Sequence, residues 1–484
     1  MTGIATSVLI GAPALAVLAM LAAPRPRLAE RLNLAAAGLC FIAAVAMTVS
    51  APAAGARYLG RYLIVDPLGA WIILCAAVVY LLASIHACGY MRMPGEEARL
   101  PRFYQLFALF ALTIFIAPLM NNPGLYWIAI EMTTVVSTFL VAFEQAAEAI
   151  EAGWKYIIIV SAGITLALLG TVIFYWAGTF SLGPTYDMTW RVLRHAAPHM
   201  DRALLVLGFL LVLVGYGTKV GLAPMHTWLP DAHSEGPAPV SAMLSGALLN
   251  CAMLGIVRYL VVLRATAIQR TAATALVLLG VLSLLVGALF ITRQSVIKRL
   301  AAYSSVEHMG VVALGFGFGG PLGVIGALYH MLNHSLAKSL VFFGAGNMMH
   351  AYESKEIDRM RRVLRYFPRS GAIWLAGAVA ITGAPPFGLF LSELTVLRAG
   401  IVGPNAWAVW CMGVLLVVIF IGFLARFRAM YFGPAPGQAP RLRLHAVHVL
   451  PMAAALAATL LLGLWWLPPL WRHLAAIAAQ LGGA

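Results

Sequence analysis

The stretch GFLLVLVGYGTKVGLAPMHTWLP, residues 208–230, decides the fold class of this chain. It is long and apolar enough to cross a bilayer, yet it contains Lys219, with Gly221 and Pro224 shortly after it. A charged side chain at the bilayer centre costs about 2.5–3.5 kcal/mol on insertion scales, and proline interrupts a helix. Backbone groups freed by such an interruption must line a polar cavity or be buried by protein. The stretch therefore predicts a discontinuous membrane helix that carries a functional lysine.

The rest of the sequence places this segment in a polytopic membrane protein. Of its 484 residues, 62% are apolar and 10% charged, against about 25% charged in soluble proteins. The longest connectors, near 179–202 and 346–369, are too short for a soluble catalytic domain. We therefore predict an all-α polytopic membrane protein with about fourteen transmembrane helices, near residues 4–23, 32–50, 66–88, 104–120, 123–143, 156–178, 203–225, 237–262, 271–292, 300–319, 321–345, 370–394, 405–430 and 448–470.

A second interruption predicts the internal organisation of these helices. The sequence GAPPFG, residues 383–388, breaks the twelfth span shortly before Glu393, as residues 221–224 break the seventh. Because the two breaks lie five spans apart, spans 4–8 and 9–13 would enter the membrane in opposite directions, which is the inverted repeat of ion translocators. The predicted units are three N-terminal helices, a first repeat, a second repeat and a C-terminal helix, at residues 1–103, 104–262, 271–430 and 431–484.

The formal charge of +15 follows the loops and forms no single basic surface. Connectors after odd-numbered spans hold about 20 of the 32 Lys and Arg residues, which excludes a nucleic-acid partner and predicts that both termini face away from the cytoplasm. The first apolar run is a membrane span and not a signal peptide, because its basic residues follow it. We expect a multi-pass protein of the cell inner membrane, with the lipid bilayer as its surroundings.

Several motif matches do not predict cofactor sites. The five cysteines are scattered through apolar runs without C-x-x-C spacing, which argues against Fe–S and zinc-finger frameworks. The glycines of GFGFGG, residues 315–320, lie between two spans and predict a tight turn, since no strand precedes them. His330 and His334 have the spacing of a zinc-binding helix, but no glutamate follows the first histidine to act as a base. We expect no metal.

The connector MHTWLPDAHSEGP, residues 225–237, gathers four residues that bind metals in other proteins. They are His226, Asp231, His233 and Glu235. Turn formation and helix capping are the more ordinary roles of such residues, and we expect those roles here.

The titratable residues inside the spans are the best functional candidates, because each is costly to insert. On the eleventh span His330, His334 and Lys338 recur every four residues and so share one helix face. A purely structural hydrogen-bond stripe is the alternative, and it weakens because titratable residues recur on several spans. The candidates are Glu131, Lys219, Glu307, His308, His330, His334, Lys338 and Glu393.

Four segments resemble one family of membrane proteins. TKVGLAPMHTWLPDAHSEGPAPVSAMLSG (218–246), VIKRLAAYSSVEHMG (296–310), HMLNHSLAKSL (330–340) and the Glu after a Gly/Pro break are similar to the antiporter-like, proton-translocating subunits of complex I, Mrp cation/proton antiporters and membrane-bound hydrogenases. The resemblance covers roughly residues 60–430. Within the family, YSSVEHMG and the short C-terminal end look most like the hydrogenase-4 component F branch, and next like NADH dehydrogenase subunit 4.

The resemblance implies a role for each matching residue. Glu131 would pair with Lys219, and a central relay would run through His308 and His334 to Glu393. Secondary relay positions would be His330, Lys338, Glu307 and Asn250. Asn250 departs from the pattern, because relatives of the subunit 4 type carry a lysine there, and an asparagine holds no charge at ordinary pH. Either water bridges Lys219 to the histidines, or the relay is weaker than in the relatives.

The resemblance also implies the activity and the partners. The chain would translocate protons, driven by a redox reaction in other membrane-arm subunits and a peripheral hydrogenase-like or Fe–S module. It would bind no cofactor and have no catalytic redox site of its own. Two alternatives remain at this point: a stand-alone cation/proton secondary transporter, and a conducting subunit coupled to a non-redox partner such as an inorganic-carbon accumulation protein.

Overall fold

A computed structural model describes residues 1–92, 97–432, 440 and 444–482. Within them the regular elements are helices and one short antiparallel hairpin, joined by turns and irregular connectors. The hairpin consists of β1 (Ala56–Tyr58) and β2 (Leu63–Val65). The helices are α1 (Thr2–Ala22), α2 (Pro26–Ser50), α3 (Pro67–Tyr90), α4 (Leu100–Ile116), α5 (Pro123–Val141), α6 (Ala147–Leu182), α7 (Trp190–Ala196), α8 (Arg202–Val220), α9 (Trp228–Glu235), α10 (Ala238–Met243), α11 (Leu249–Leu263), α12 (Gln269–Ile291), α13 (Ile297–Phe318), α14 (Gly320–Tyr352), α15 (Val363–Tyr366), α16 (Pro368–Ile381), α17 (Gly388–Ile401), α18 (Ala406–Phe432), α19 (Ala446–Leu464) and α20 (Pro468–Gly482).

Eleven segments of the described chain are long and apolar enough to cross a membrane. They comprise α1 to α6, α8, the α10–α11 unit, α12, α18 and α19. This confirms the prediction of an all-α polytopic membrane protein. The α13 and α14 helices have enough length, but they carry the charged and imidazole side chains predicted to be functional. The α16 and α17 helices have 14 residues each.

Several helix boundaries differ from the predicted ones. The α6 and α14 helices, with 36 and 33 residues, extend beyond the apolar runs at 156–178 and 321–345, because their polar flanking residues continue the helix. The last predicted span, 448–470, was too long, since α19 ends at Leu464 and two prolines begin α20. Part of the predicted C-terminal unit 431–484 lies outside the described residues, at 433–439, 441–443 and 483–484. The tight turn predicted in the glycine-rich segment is confirmed at Gly319, where φ is +68°.

The first predicted interruption lies between α8 and α9. The α8 helix ends at Val220, and Gly221 adopts a left-handed conformation with φ +78° and ψ +29°, which glycine tolerates without steric cost. The carbonyl groups left free at this end find new donors. Leu222 N–H donates to Gly217 O at 2.9 Å, and the Trp228 indole donates to Thr218 O at 2.7 Å. The interruption is thus satisfied within the protein, as a membrane interior requires.

The second predicted interruption lies between α16 and α17. The α16 helix ends at Ile381, and α17 begins at Gly388. Between them Gly383 has φ +67°, and a Cβ atom at this position would overlap the Glu393 carboxylate. The break therefore places a glycine directly against the titratable side chain of α17.

The α14 helix lies at the centre of the second half of the chain, the predicted repeat at residues 271–430. It contacts α3, α13, α16, α17, α19 and α20. Small residues permit this crowding. A Cβ atom on Gly344 would overlap the ring of Trp374 in α16, whose indole donates to Val341 O at 3.2 Å. Nearly every residue of α14 from Gly323 to Met348 is consequently buried, including its histidines and its lysine.

Candidate functional site

The Lys219 side chain is fully buried between α5, α6 and α8. Its Nζ donates to the Thr134 hydroxyl at 2.8 Å and to the Tyr156 hydroxyl at 2.7 Å. Tyr156 is in turn hydrogen-bonded to Ser137 at 2.8 Å. An ammonium group taken out of water needs acceptors, such as these two hydroxyl oxygens, to offset the loss of hydration. The last turn of α8, just before its interruption, thus presents a lysine to two hydroxyl groups.

Glu131, on α5, is separated from Lys219 by one hydroxyl group. Its carboxylate accepts a hydrogen bond from Ser161 at 2.5 Å and a long one from Thr134 at 3.4 Å. Within the described residues no direct ion pair joins Glu131 to Lys219, so the predicted pair is linked through the Thr134 hydroxyl. Glu131 is only partly buried, and it lies on α5 next to the exposed Met132 and near the exposed Ile128. The carboxylate therefore sits at the edge of the outer apolar face.

Asn250 lies where the two halves meet. Its side-chain amide donates to Ser335 Oγ and to Gly246 O, both at 3.0 Å, and weakly to Met331 O at 3.4 Å. A π-helical turn at residues 244–248 exposes the Gly246 carbonyl, which also accepts from Ser335 at 2.6 Å. Such turns are common at functional sites. Asn250 therefore connects α11 to α14, while its own hydrogen bonds reach neither Lys219 nor an imidazole.

Three histidines cluster in the second half. His308 Nδ1 and His330 Nε2 are 3.1 Å apart, and the ring centroids of His308 and His334 are 5.3 Å apart. His330 Nδ1 also lies 2.9 Å from Ser392 Oγ. All three rings are fully buried, and both ring nitrogens of His334 lack a hydrogen-bond partner among the described residues. The cluster brings imidazoles of α13 and α14 together, with His330 and His334 both next to His308.

Two further titratable residues border the histidines. Lys338 donates to Ala301 O at 2.6 Å and to Ser304 Oγ at 2.5 Å. The Glu307 carboxylate lies 3.5 Å from His308 Nδ1, and its second oxygen lacks a hydrogen-bond partner within the described chain. Both side chains are buried. The secondary positions expected from the sequence thus surround the cluster, although Lys338 bonds to α13 and not to a carboxylate.

Glu393 closes the series on α17. It is 6% exposed, and one of its carboxylate oxygens has no hydrogen-bond partner in the described part of the chain. It lines a cavity of about 250 Å³ between α17 and α18, together with Gly383 and apolar residues such as Leu394 and Val417. Since those two apolar residues are exposed on the outside, Glu393 lies between the histidine cluster and the outer face of the subunit.

The connector at 225–237 has its expected role only in part: His226 lies in a turn, where its carbonyl accepts from Leu229 N–H, but the two acidic residues act differently. Asp231 forms ion pairs with Arg299 and Lys155, and Glu235 pairs with Lys355 at 2.5 Å, so neither residue caps a helix. The reason is that α9 packs against α6 and α13, which present Lys155 and Arg299 to Asp231, while Lys355 follows the end of α14 and reaches Glu235. His233 is fully buried and stacked on Phe342 at 4.8 Å between ring centroids. The connector joins both halves electrostatically at one end of the bundle.

Hydroxyl groups are the components that the sequence did not reveal. Thr134, Tyr156, Ser335 and Ser392 each contact a predicted titratable residue or Asn250. Three of them stand within three residues of a predicted position in the sequence, which was an available signal. Tyr156 had no such signal, because its contact with Lys219 depends on how α6 packs against α8.

The groups of this series can bind and exchange protons. Amine, imidazole and carboxylate groups alternate with hydroxyls from Glu131 and Lys219, past Asn250, to the histidines and Glu393. Imidazole exchanges protons near neutral pH, and hydroxyl groups both donate and accept hydrogen bonds. These groups lie in apolar helices. Each titratable group there costs free energy of insertion, so its presence indicates a function.

Comparisons with known proteins show the family of the chain. Residues 121–420 match the family model described as NADH:quinone oxidoreductase/Mrp antiporter, transmembrane. The chain is 36% identical to a hydrogenase-4 component F homolog of Methylacidiphilum infernorum over 390 residues, which cover 79% of this chain and 82% of the relative. It is 29% identical to an NAD(P)H-quinone oxidoreductase chain 4 of Picosynechococcus sp. over 389 residues, 78% of this chain and 69% of that one.

Two solved structures share the fold over nearly the whole chain. A chain of the archaeal membrane-bound sulfane sulfur reductase matches with a TM-score of 0.87 and 21% identity, covering 98% of this chain and 97% of that chain. A chain of the Mrp complex from Dietzia sp. DQ12-45-1b matches with a TM-score of 0.87 and 20% identity, covering 99% of this chain and 98% of that chain.

Proposed function

Because the chain belongs to the NADH:quinone oxidoreductase/Mrp antiporter transmembrane family, we propose that it is the proton-translocating, antiporter-like membrane subunit of a redox-driven complex. The observation that carries this proposal is the buried series of titratable side chains in otherwise apolar helices. It runs from Lys219 through His308 and His334 to Glu393. A helix bundle with a purely structural role does not need four buried titratable side chains whose polar atoms are at most partly hydrogen-bonded.

Glu131, Thr134 and Lys219 form a protonation switch at the start of the series. Glu131 stabilises the protonated form of Lys219 through the Thr134 hydroxyl, which donates to the carboxylate and accepts from the ammonium. A displacement of Glu131 weakens this support, and Lys219 then gives up its proton. The long 3.4 Å contact between Thr134 and Glu131 makes this link sensitive to small movements of α5.

The crossing between the halves requires water. Asn250 cannot carry a charge, so in this proposal water molecules beside Asn250 and Ser335 carry the proton from Lys219 to His334. A second hydroxyl contact, between Ser245 and Ser305 at 2.8 Å, joins the same two halves. Histidines His308 and His330 then pass the proton towards Glu393, with Glu307 and Lys338 setting the local charge.

The same proposal includes the number of membrane spans, their inverted repeats and the orientation of the chain. Fourteen spans result if α13, α14 and the interrupted α16–α17 unit are added to the eleven apolar ones. Two features support inverted repeats of five spans: α6 and α14, the third span of each unit, are the long helices, and both interruptions fall in the fourth span. In this proposal the chain lies in the cell inner membrane with both termini outside the cytoplasm.

Purification of the intact complex in mild detergent tests the proposal. We expect other membrane-arm subunits and a peripheral hydrogenase-like or Fe–S module to copurify, and we expect proton uptake into vesicles to require the electron donor. Recovery of the chain alone, with cation/proton exchange in liposomes, would instead identify a secondary transporter. Recovery with a non-redox partner, such as an inorganic-carbon accumulation protein, and donor-independent transport would also contradict the redox proposal.

A further inference from the structure

A compact set of nitrogen and oxygen ligands lies inside the relay. One ligand atom each from His308, His330 and Glu393 lie within 4.8 Å of one another, and all three residues are buried. Within the described chain no other group of three or more such residues is this compact. The pair of histidines at positions 330 and 334, whose spacing resembles a zinc motif, is not the pair that converges. His330 converges instead with residues of α13 and α17.

The distances suit a tetrahedral transition-metal ion. His308 Nδ1 and His330 Nε2 are 3.1 Å apart. Two nitrogens bound to one Zn²⁺ at about 2.0–2.1 Å and near-tetrahedral angles are separated by roughly 3.3–3.4 Å, a few tenths of an ångström more than here. A cation can therefore replace the shared proton between the two rings with little movement of either ring.

Ser392 occupies the position of an outer-shell partner. Its hydroxyl lies 2.9 Å from His330 Nδ1, the ring nitrogen opposite the one that faces His308. Metal-binding histidines are usually oriented by such a hydrogen bond on their second nitrogen. The Ser392 hydroxyl is also bonded to Leu389 O at 2.7 Å, which fixes it on α17. The imidazole of His330 is thus already held in the orientation that a ligand needs.

The charges also suit a divalent cation. Glu393 has an oxygen without a hydrogen-bond partner, and the nearby Glu307 has another, at 6% and 1% exposure. When both are ionised, these two carboxylates neutralise one divalent ion. Imidazole ligands favour Zn²⁺ and its neighbours over Na⁺, Mg²⁺ or Ca²⁺, which prefer oxygen ligands. Of these ligands, Glu393 lines the cavity between α17 and α18.

We propose that His308, His330 and Glu393 form a binding site for a divalent transition-metal cation of the Zn²⁺ type, and that an ion bound there arrests the relay. The cation occupies the space between the two imidazoles through which a proton passes. The binding part of this inference stands on the ligand geometry alone, whereas the arrest rests on the proposed proton translocation.

Metal binding is tested on the purified, tag-free full-length chain in detergent. We expect about one Zn²⁺ per chain after gel filtration, and we expect Co²⁺ to give the visible absorption of a nitrogen- and oxygen-ligated ion. His330→Ala and Glu393→Gln should each weaken binding at least about 10-fold. The matched control is His86→Gln, since His86 on α3 is also a buried histidine without hydrogen-bond partners in the described chain. Absence of stoichiometric Zn²⁺, or equal loss in the control variant, would overturn the site.

The arrest is tested on the complex in vesicles. Added Zn²⁺ should stop donor-driven proton uptake at the concentration that fills the site, while Ca²⁺ at the same concentration should not. Zn²⁺ binding without any effect on active vesicles would refute the arrest and leave the site standing. Vesicles that take up no protons even without Zn²⁺ would refute the proposed function, and the binding measurement would still decide the metal site.

Discussion

The Thr134 hydroxyl is the smallest unit on which the proposed switch depends. In the proposal it couples Glu131 to Lys219, since it contacts both and the two side chains form no direct ion pair in the described structure. A hydroxyl can transmit such an influence because it donates to one partner while accepting from the other. The neighbouring Thr133 has no such role, because its hydroxyl donates to Ile130 O of its own helix.

This difference predicts the effect of two matched valine substitutions. Thr134→Val keeps the shape of the side chain but removes the link, and we expect a fall in proton translocation of about 10-fold or more, since hydrogen bonds to charged groups contribute about 1.5–3 kcal/mol. Thr133→Val should leave translocation near the wild-type rate. Donor-driven proton uptake in vesicles measures both. Equal rates in the two variants would show that the hydroxyl of Thr134 does not couple the pair.

A second prediction concerns the charge of Glu131. Glu131→Gln preserves hydrogen bonding to Ser161 but removes the charge that supports protonated Lys219. We expect Glu131→Gln and Lys219→Ala each to abolish translocation in an assembled complex, and the double variant to be little worse than either one. Normal pumping by a well-assembled Glu131→Gln complex would reduce the pair to a contact between helices.

The interrupted helices determine where the titratable groups lie. Gly383 in the second interruption has a positive φ and touches the Glu393 carboxylate. Gly383→Ala should therefore displace Glu393, lower translocation several-fold and lower the thermal stability, because alanine is strained at this φ and its methyl group overlaps the carboxylate. Gly413→Ala on the adjoining α18 is the control, since nothing lies within 4 Å of a Cβ built there. Detergent melting curves and vesicle uptake distinguish the two variants, and matching values would contradict the prediction.

The elements show what the sequence could and could not predict. The interruption after Lys219 was predictable, because Gly221 and Pro224 mark it locally. The extension of α14 to Tyr352 was not, since Asn347 and His350 interrupt the apolar run that identifies the span. The Tyr156 contact with Lys219 was also not predictable, because helices that are apolar on all sides carry no periodic signal that fixes their rotation. The π-helical turn beside Asn250 depends likewise on tertiary contacts with α14.

For the whole molecule, the distribution of basic residues predicts the orientation. The segment at 353–362 should face the cytoplasm and the segment at 183–201 the opposite side. Cysteines introduced at Arg359 and Arg194, both exposed, should respond differently to an impermeant thiol reagent on intact cells. We expect labelling at position 194 and protection at position 359 until the cells are opened. The reverse pattern would invert the proposed topology.

The position of Glu131 at the edge of the outer face has a consequence for biogenesis. A chain that waits in the bilayer before its neighbour arrives holds a carboxylate next to the lipid-facing Met132 and Ile128. An unassembled subunit is therefore recognisable, because lipid cannot solvate the Glu131 carboxylate that a partner would cover. Membrane quality-control proteases should thus degrade unassembled copies quickly. Glu131, in addition to its proposed part in proton transfer, would then limit the lifetime of the free subunit.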